Sequence, residues 1–274
     1  MEPARAGNDP PSVCTVGDLI LDVIVLPDRA LVPDADTPAR IRLAAGGQAA
    51  NVAAWVSALG ARSRLICKRG DDAASELAAA ELARHRVEIC GPVVEGRGGV
   101  VVSTRDGAGG RTMASDRGVA SRLEPAELDP AWVHACDVLH VSGYCLLGEP
   151  MAEAAIEAAR LARPCQVTVD LASAHDIEIA GARWFAARLK ALAPDLAFAT
   201  EAERAAVPGF DATWVIKLGA RGARFPEGLY PAPPVDAIDA TGAGDALAAG
   251  YLVGGPELAI EAAARSVTLI GAMP

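Results

Sequence analysis

Short β-branched and aliphatic runs alternate along the chain with longer stretches rich in Ala and Leu. A strand buried on both faces is apolar throughout, and its crossover helix carries an apolar stripe, so this rhythm predicts a mostly parallel sheet covered by helices on both sides. Strands are expected at Val13 to Val16, Arg64 to Lys68, Val138 to Ser142, Gln166 to Asp170, Leu196 to Ala199 and Trp214 to Leu218. Helices are expected between them, at Ala73 to Arg86, Met151 to Ala162 and Ala182 to Leu192 among others. Two pieces break the rhythm. Arg40 to Leu43 and Gly98 to Thr104 are short strand-like runs flanked by turns, one of them Asp106-Gly107, and they read as a small β-lid projecting from the sheet's edge.

Two glycine junctions carry the candidate chemistry. Asp239-Ala240-Thr241-Gly242-Ala243-Gly244-Asp245 runs straight into the apolar stretch Ala246 to Leu252, so a glycine turn opens a helix. Glycines let the backbone turn sharply and remove the Cβ atoms that would block a ligand, while the first N–H groups of the helix and its positive dipole end attract phosphate. Asp245 lies inside that site, where a carboxylate can take the proton of an alcohol attacking a nucleotide's terminal phosphoryl group. A plain loop-to-helix junction with an acid in its first turn is the other reading of the same residues. A dinucleotide fold would place its glycines after the first strand, and no G-x-x-x-x-G-K-[ST] loop occurs. Upstream, Ala44-Ala45-Gly46-Gly47-Gln48-Ala49-Ala50-Asn51 leads into a second helical run that stops at Gly60. The amide of Asn51, one turn past Gly47, can donate and accept at once, which suits a polyol and equally suits local backbone.

Together these segments resemble the ribokinase-like, or PfkB, family of carbohydrate kinases, and the likeness covers nearly the whole chain. It runs from Val13-Cys14-Thr15-Val16-Gly17-Asp18 and Leu19-Ile20-Leu21-Asp22 through both glycine junctions. It includes Gly110-Arg111-Thr112-Met113 with Asp116-Arg117-Gly118 as lid, and Val215 to Ala223 as the nucleotide-side strand and turn. The resemblance implies an α/β fold, a ribokinase-like three-layer sandwich with a mostly parallel central sheet and a small β-lid. It places one kinase domain at 12–274, with lid segments near 35–45 and 97–115, behind a loose tail at 1–11. The implied activity is ATP-dependent phosphorylation of a hydroxyl on a sugar or sugar-like molecule, under a lid that excludes water.

The same resemblance assigns roles. Asp245 is the implied base, with the backbone of Gly242, Ala243 and Gly244 holding the charge of the transferred phosphoryl. Asp22, Gly46, Gly47 and Asn51 would bind the acceptor, and Lys217, Gly219, Gly222, Gly242 and Gly244 the nucleotide. Glu203 would reach Mg²⁺ through water, and Asp239 and Thr241, with carbonyls near Ser266 to Gly271, would bind a monovalent cation such as K⁺. The chain departs from the family where an Asn usually stands three residues before Glu203: here it is Thr200, which implies weaker metal organisation. The segment Arg224 to Tyr230 and the tail after Gly250 are shorter than usual, which puts nucleotide affinity or base preference in question.

Composition changes the picture in three places. Of 274 residues 51% are hydrophobic but only 4% aromatic, so the core must be built from Ala, Val and Leu, and no aromatic offers itself as a nucleobase platform. A net charge of −10 argues against nucleic acid or an anionic membrane as partner, and no apolar run approaches the roughly 18 to 20 residues of a membrane span. The polar start, Met1 to Pro11, and six scattered cysteines without a C-x-x-C pair are expected of a cytoplasmic protein with reduced, buried thiols. Asp22 and Asn51 suit furanoses, hexoses, keto-acid sugars and nucleosides alike, so a nucleoside kinase and a catalytically weak ligand-binding relative stand as alternatives. Trp55 is expected in its helix's core, Arg40, Arg111 and Arg117 as solvated lid charges or contacts to an acidic substrate, and a homodimer through the β-lid is admitted.

Overall fold

The computed structural model describes residues 10–105, 111–134, 136–171 and 173–274. Its strands are β1 Ser12–Val16, β2 Ile20–Pro27, β3 Ala39–Gly46, β4 Arg62–Ile66, β5 Arg69–Gly70, β6 Glu88–Cys90, β7 Val93–Val94, β8 Gly99–Arg105, β9 Arg111–Asp116, β10 Val138–Ser142, β11 Gln166–Asp170, β12 Leu196–Thr200, β13 Trp214–Lys217, β14 Ala223–Phe225 and β15 Gly228–Tyr230. Its helices are α1 Gln48–Ala58, α2 Ala73–Ala83, α3 Met151–Ala162, α4 Ala174–Ala180, α5 Ala182–Leu192, α6 Glu201–Ala205, α7 Ala243–Gly254 and α8 Pro256–Ser266.

Among the described residues nine strands form one sheet in the order β15-β14-β13-β12-β11-β10-β1-β4-β6, in which only β14 runs against the others, antiparallel to β13 and to the edge strand β15. Side chains alternate between two cores, as a doubly covered sheet requires. Val13, Val138, Phe198 and Val215 pack beneath α1, α7 and α8, whereas Cys14, Val16, Leu139, Val141, Val167 and Ala199 pack against α3 and α5. Alanines line both helix layers and let them lie close to the sheet. Trp55 is fully buried, as expected, and its Nε1 donates to the Ala272 carbonyl at 2.8 Å, tying the chain's end to α1.

The expected strands and helices are present, with shifted ends. α2 stops at Ala83 and not Arg86, because its last turn tightens into three i→i+3 bonds and Arg86 turns left-handed at φ 57°. The lid needs a larger correction. It is a four-stranded sheet of order β3-β2-β8-β9, and its long central strand β2 lies outside the lid segments expected near 35–45 and 97–115. β2 was hidden because it is almost wholly apolar, its base packing with α1 and α2 through Leu19, Leu21 and Ala45. The expected tail lies mostly in residues 1–9, and the Asp106-Gly107 turn in 106–110, both outside the described residues. Four of the six thiols are buried as expected, but Cys90 and Cys165 are half-buried.

Candidate active site

A cleft of about 760 Å³ opens at the carboxyl ends of the parallel strands, between the main sheet and the lid. α7 points its first turn into it. Gly242, the residue before the helix, is left-handed at φ 76°, and a Cβ there would come within 2.6 Å of the Ala272 Cα, so only glycine makes this turn. The loop before it is self-supporting: Asp239, 5% exposed, accepts from the Thr241 N–H at 3.0 Å, the Thr241 hydroxyl at 2.6 Å and the Gly271 N–H at 3.1 Å. Asp245 follows in the first turn of α7, and its Oδ2 accepts a 2.7 Å hydrogen bond from Asn51 Nδ2. The two glycine junctions, 194 residues apart in the chain, are thereby joined side chain to side chain. Asn51 thus turns its amide N–H to the candidate base, a partner other than the polyol or local backbone expected from the sequence.

The lid supplies the opposite wall. Asp22 stands on β2, opposite Ala44 of β3 and Val101 of β8, and lines the cleft with Val101 and Ser115. Asp22 follows the first core strand, as expected, and the strand that carries it belongs to the lid. A Cβ on Gly46 would collide with the Asp22 carboxylate, so Gly46 shapes the wall without lining the cleft. Arg117 is no solvated lid charge: its Nε and Nη2 each lie 2.6 Å from Asp18 Oδ2, and its Nη1 donates to the Tyr144 carbonyl at 3.3 Å. Burial pushes the Asp18 carboxyl up, against the pull of Arg117. Gln48 and Ser142 complete this end, the serine hydroxyl donating to Gln48 Oε1 at 2.6 Å.

At the other end Lys217 closes β13 and Asp170 closes β11, and Lys217 Nζ lies 2.5 Å from Asp170 Oδ1 and 3.9 Å from Glu203 Oε2. Burial lifts the Asp170 carboxyl to about 7, against the pull of Lys217 and with help from Glu203 and Asp245. Burial alone would pull the lysine down, but Asp170, Glu203 and Asp245 hold its pKa above the ordinary value, so the ammonium is charged. Glu203 is first a capping residue: it accepts from the Thr200 N–H at 2.7 Å while Thr200 Oγ1 accepts from the Glu203 N–H at 3.2 Å. This capping box fixes Thr200 at the start of α6. Gly219 and Gly222 form the turn beyond Lys217 without lining the cleft; Gly222 packs against the backbone of Tyr230 and Pro231.

Asp22, Gly47, Asn51, Lys217, Thr241, Gly242 and Asp245 thus meet around one cavity, while Gly46, Ala243, Gly244, Glu203 and Asp239 stand directly behind it. Sequence reasoning missed Asp18, Gln48, Ser142, Tyr144, His175, Asp176 and Asp170 as site residues. One signal was available for several of them: polar residues at the carboxyl end of a parallel strand face the ligand crevice. Among the described residues no group of three His, Cys, Asp or Glu side chains is placed to hold a metal ion.

The model of the pfkB family carbohydrate kinases matches residues 10–273. The ATP-dependent ribose-1-phosphate kinase of Halopiger xanaduensis is 34% identical over 259 residues, covering 88% of this chain and 83% of the relative. Fructokinase-2 of Oryza sativa subsp. japonica is 26% identical over 276 residues, covering 91% and 81%. In fold, the crystal structure of adenosine kinase from Sinorhizobium meliloti superposes with a TM-score of 0.82 at 23% identity, covering 96% of each chain.

Proposed function

The chain belongs to the pfkB family of carbohydrate kinases, and from that premise we propose that its cleft transfers the terminal phosphoryl of ATP to a hydroxyl of a sugar or sugar-like molecule, with Asp245 as general base. The observation that carries this reading is the 2.7 Å bond from Asn51 to Asp245 at the mouth of the glycine turn. It holds one carboxylate oxygen in place inside an anion site and leaves the carboxylate facing the cleft. In the step, the acceptor oxygen bonds to the γ-phosphorus, the bond from that phosphorus to the bridging oxygen breaks, the hydroxyl proton passes to Asp245, and ADP leaves. Backbone N–H groups of Gly242 and Gly244 meet the developing charge, joined by that of Ala243 once it leaves the Ala240 carbonyl, to which it donates at 3.3 Å; such a donor is worth about 2.7 to 4 kcal/mol in other enzymes.

Mg²⁺ is the expected companion of the nucleotide, whose charge it neutralises. The nearby donors are carboxylate oxygens, which suit it. Glu203 has its Oε2 engaged by its own helix cap, so this chain offers contact through water and not a cage, with phosphate supplying the rest. A monovalent cation beside Asp239 and Thr241 is a further part of the proposal: K⁺ should raise turnover above Na⁺ or a bulky organic cation at equal ionic strength. Equal rates in all three would discard that site alone.

The acceptor end, with Asp22, Asp18, Gln48 and Ser142, suits vicinal hydroxyls. An ADP-release screen over ribose, ribose 1-phosphate, fructose, 2-keto-3-deoxygluconate, adenosine and pseudouridine tests the reading. Turnover on a sugar supports it, preference for a nucleoside moves it to a nucleoside kinase, and ligand binding without turnover makes the chain a binding relative.

We place the enzyme in the cytoplasm and pair it through its lids. All six cysteines are free thiols, and among the described residues no helix is long and apolar enough to cross a membrane. The lid face turned away from Asp22 exposes Ile41 at 62%, Leu43 at 51% and Val102 at 38%, an apolar sheet surface that a second lid would cover.

A further inference from the structure

We propose that Lys217 is the side chain that takes up charge on the phosphoryl group in transit, and that Asp170 is the positioning residue that keeps it aimed there. This rests on the kinase reading above and names two of the parts that reading needs. Arg117 and Lys217 are the Lys and Arg side chains among the described cleft-lining residues. Arg117 follows β9 of the lid and is held by Asp18, just past the end of β1, which is four strands from β13, or about 19 Å at the usual strand spacing. Among the described lining residues Lys217 is the one cation beside the first turn of α7.

Its placement is tightly set. Nζ lies 3.3 Å from the point where a Cβ on Gly244 would be, so the ammonium rests against the first turn of α7, beside the N–H groups that attract an anion. Asp170 reaches it from two strands away across β12. Asp170 is fully buried and its second oxygen has no hydrogen bond among the described atoms. A buried ion pair of that kind contributes little stability, since desolvation offsets the attraction, and an unmatched buried oxygen makes it worse. What the arrangement does supply is a fixed ammonium at a cleft wall, with its side chain 13% exposed toward the cavity. Glu203 and Asp245 flank it, so the charge is balanced until a more negative phosphoryl arrives. During transfer Lys217 donates a hydrogen bond to an equatorial phosphoryl oxygen and keeps its proton, while the hydroxyl proton goes to Asp245.

The test compares Lys217→Met, Lys217→Arg, Asp170→Asn and the Asp170→Asn/Lys217→Met double variant in the full chain, using MgATP and the acceptor found in the screen. Lys217→Met should lower kcat by about 10² to 10³ with the acceptor KM within threefold, as loss of one charge-stabilising donor does. Lys217→Arg should recover at least about tenfold of that loss, and Asp170→Asn should lower kcat by about tenfold without moving the acceptor KM. The double variant replaces both charges at once, so it folds even where Lys217→Met leaves Asp170 unpaired, and it should be no slower than Lys217→Met, because Asp170 acts only through the lysine. A double variant within threefold of the wild-type kcat, or one slowed by the product of the two single effects, overturns the inference while wild-type turnover leaves the kinase reading standing. A wild type that phosphorylates no acceptor removes both.

Discussion

Asp245 and Asn51 show how much one hydrogen bond can decide. An aspartate in the first turn of a helix is ordinary, and so is an asparagine after two glycines; only the 2.7 Å contact between them turns two local features into one site. Asn51→Ala removes that donor and opens a small gap beside the base. Its catalytic efficiency with the acceptor should fall by at least about tenfold, with affinity for a non-hydrolysable ATP analogue near wild type. Steady-state kinetics beside nucleotide titration would check both halves, and an unchanged efficiency would mean that Asn51 serves the fold alone. Both residues were legible in the sequence because their glycine turns are local patterns. Asp170 with Lys217, and Asp18 with Arg117, were not, because those partners stand 47 and 99 residues apart and meet only when the strand order is known.

At the scale of elements, the parallel strands and the helices between them were readable because each is a short apolar run or an Ala-rich stripe whose burial the sheet makes inevitable. The lid was only half readable. β3 and β8 announced themselves by their turns, whereas β2 follows closely on β1 as a further apolar run although it belongs wholly to the lid sheet and carries Asp22 to the cleft. Its other face explains the apolarity: with β3 and β8 it forms the exposed surface of Ile41, Leu43 and Val102. If a second lid covers that surface, light scattering should find a dimer, and Ile41→Glu with Leu43→Glu should give a monomer of native far-ultraviolet dichroism. A wild-type monomer at tens of micromolar would end the pairing proposal without touching the site.

For the whole molecule, two buried groups beneath the site set opposite dependences of stability on pH. His140, fully buried with its Nδ1 2.9 Å from the Thr168 hydroxyl, is pushed down to about 3 by burial and by Lys217. The unfolded chain therefore takes up a proton there below about pH 6.5 that the folded one refuses, so its stability contribution, present at neutral pH, is lost as pH falls toward 3. Asp170, raised to about 7, works the other way: its contribution is present below about pH 4 and is lost as pH rises through 7. Between pH 4 and 6.5 the two offset each other, so His140→Leu should gain stability relative to wild type on acidification across that window. Urea midpoints at four pH values would show it, and parallel curves for the two proteins would refute it. Above these supporting groups, the central claim is that the chain moves a phosphoryl group to a hydroxyl with Asp245 taking the proton. Its most direct test is acceptor-dependent ADP formation by wild type and Asp245→Asn at saturating MgATP. The account predicts turnover in the wild type and a loss of about 10² to 10⁴ in the variant with both ligands still bound. Turnover of the variant within a few-fold of wild type would contradict it.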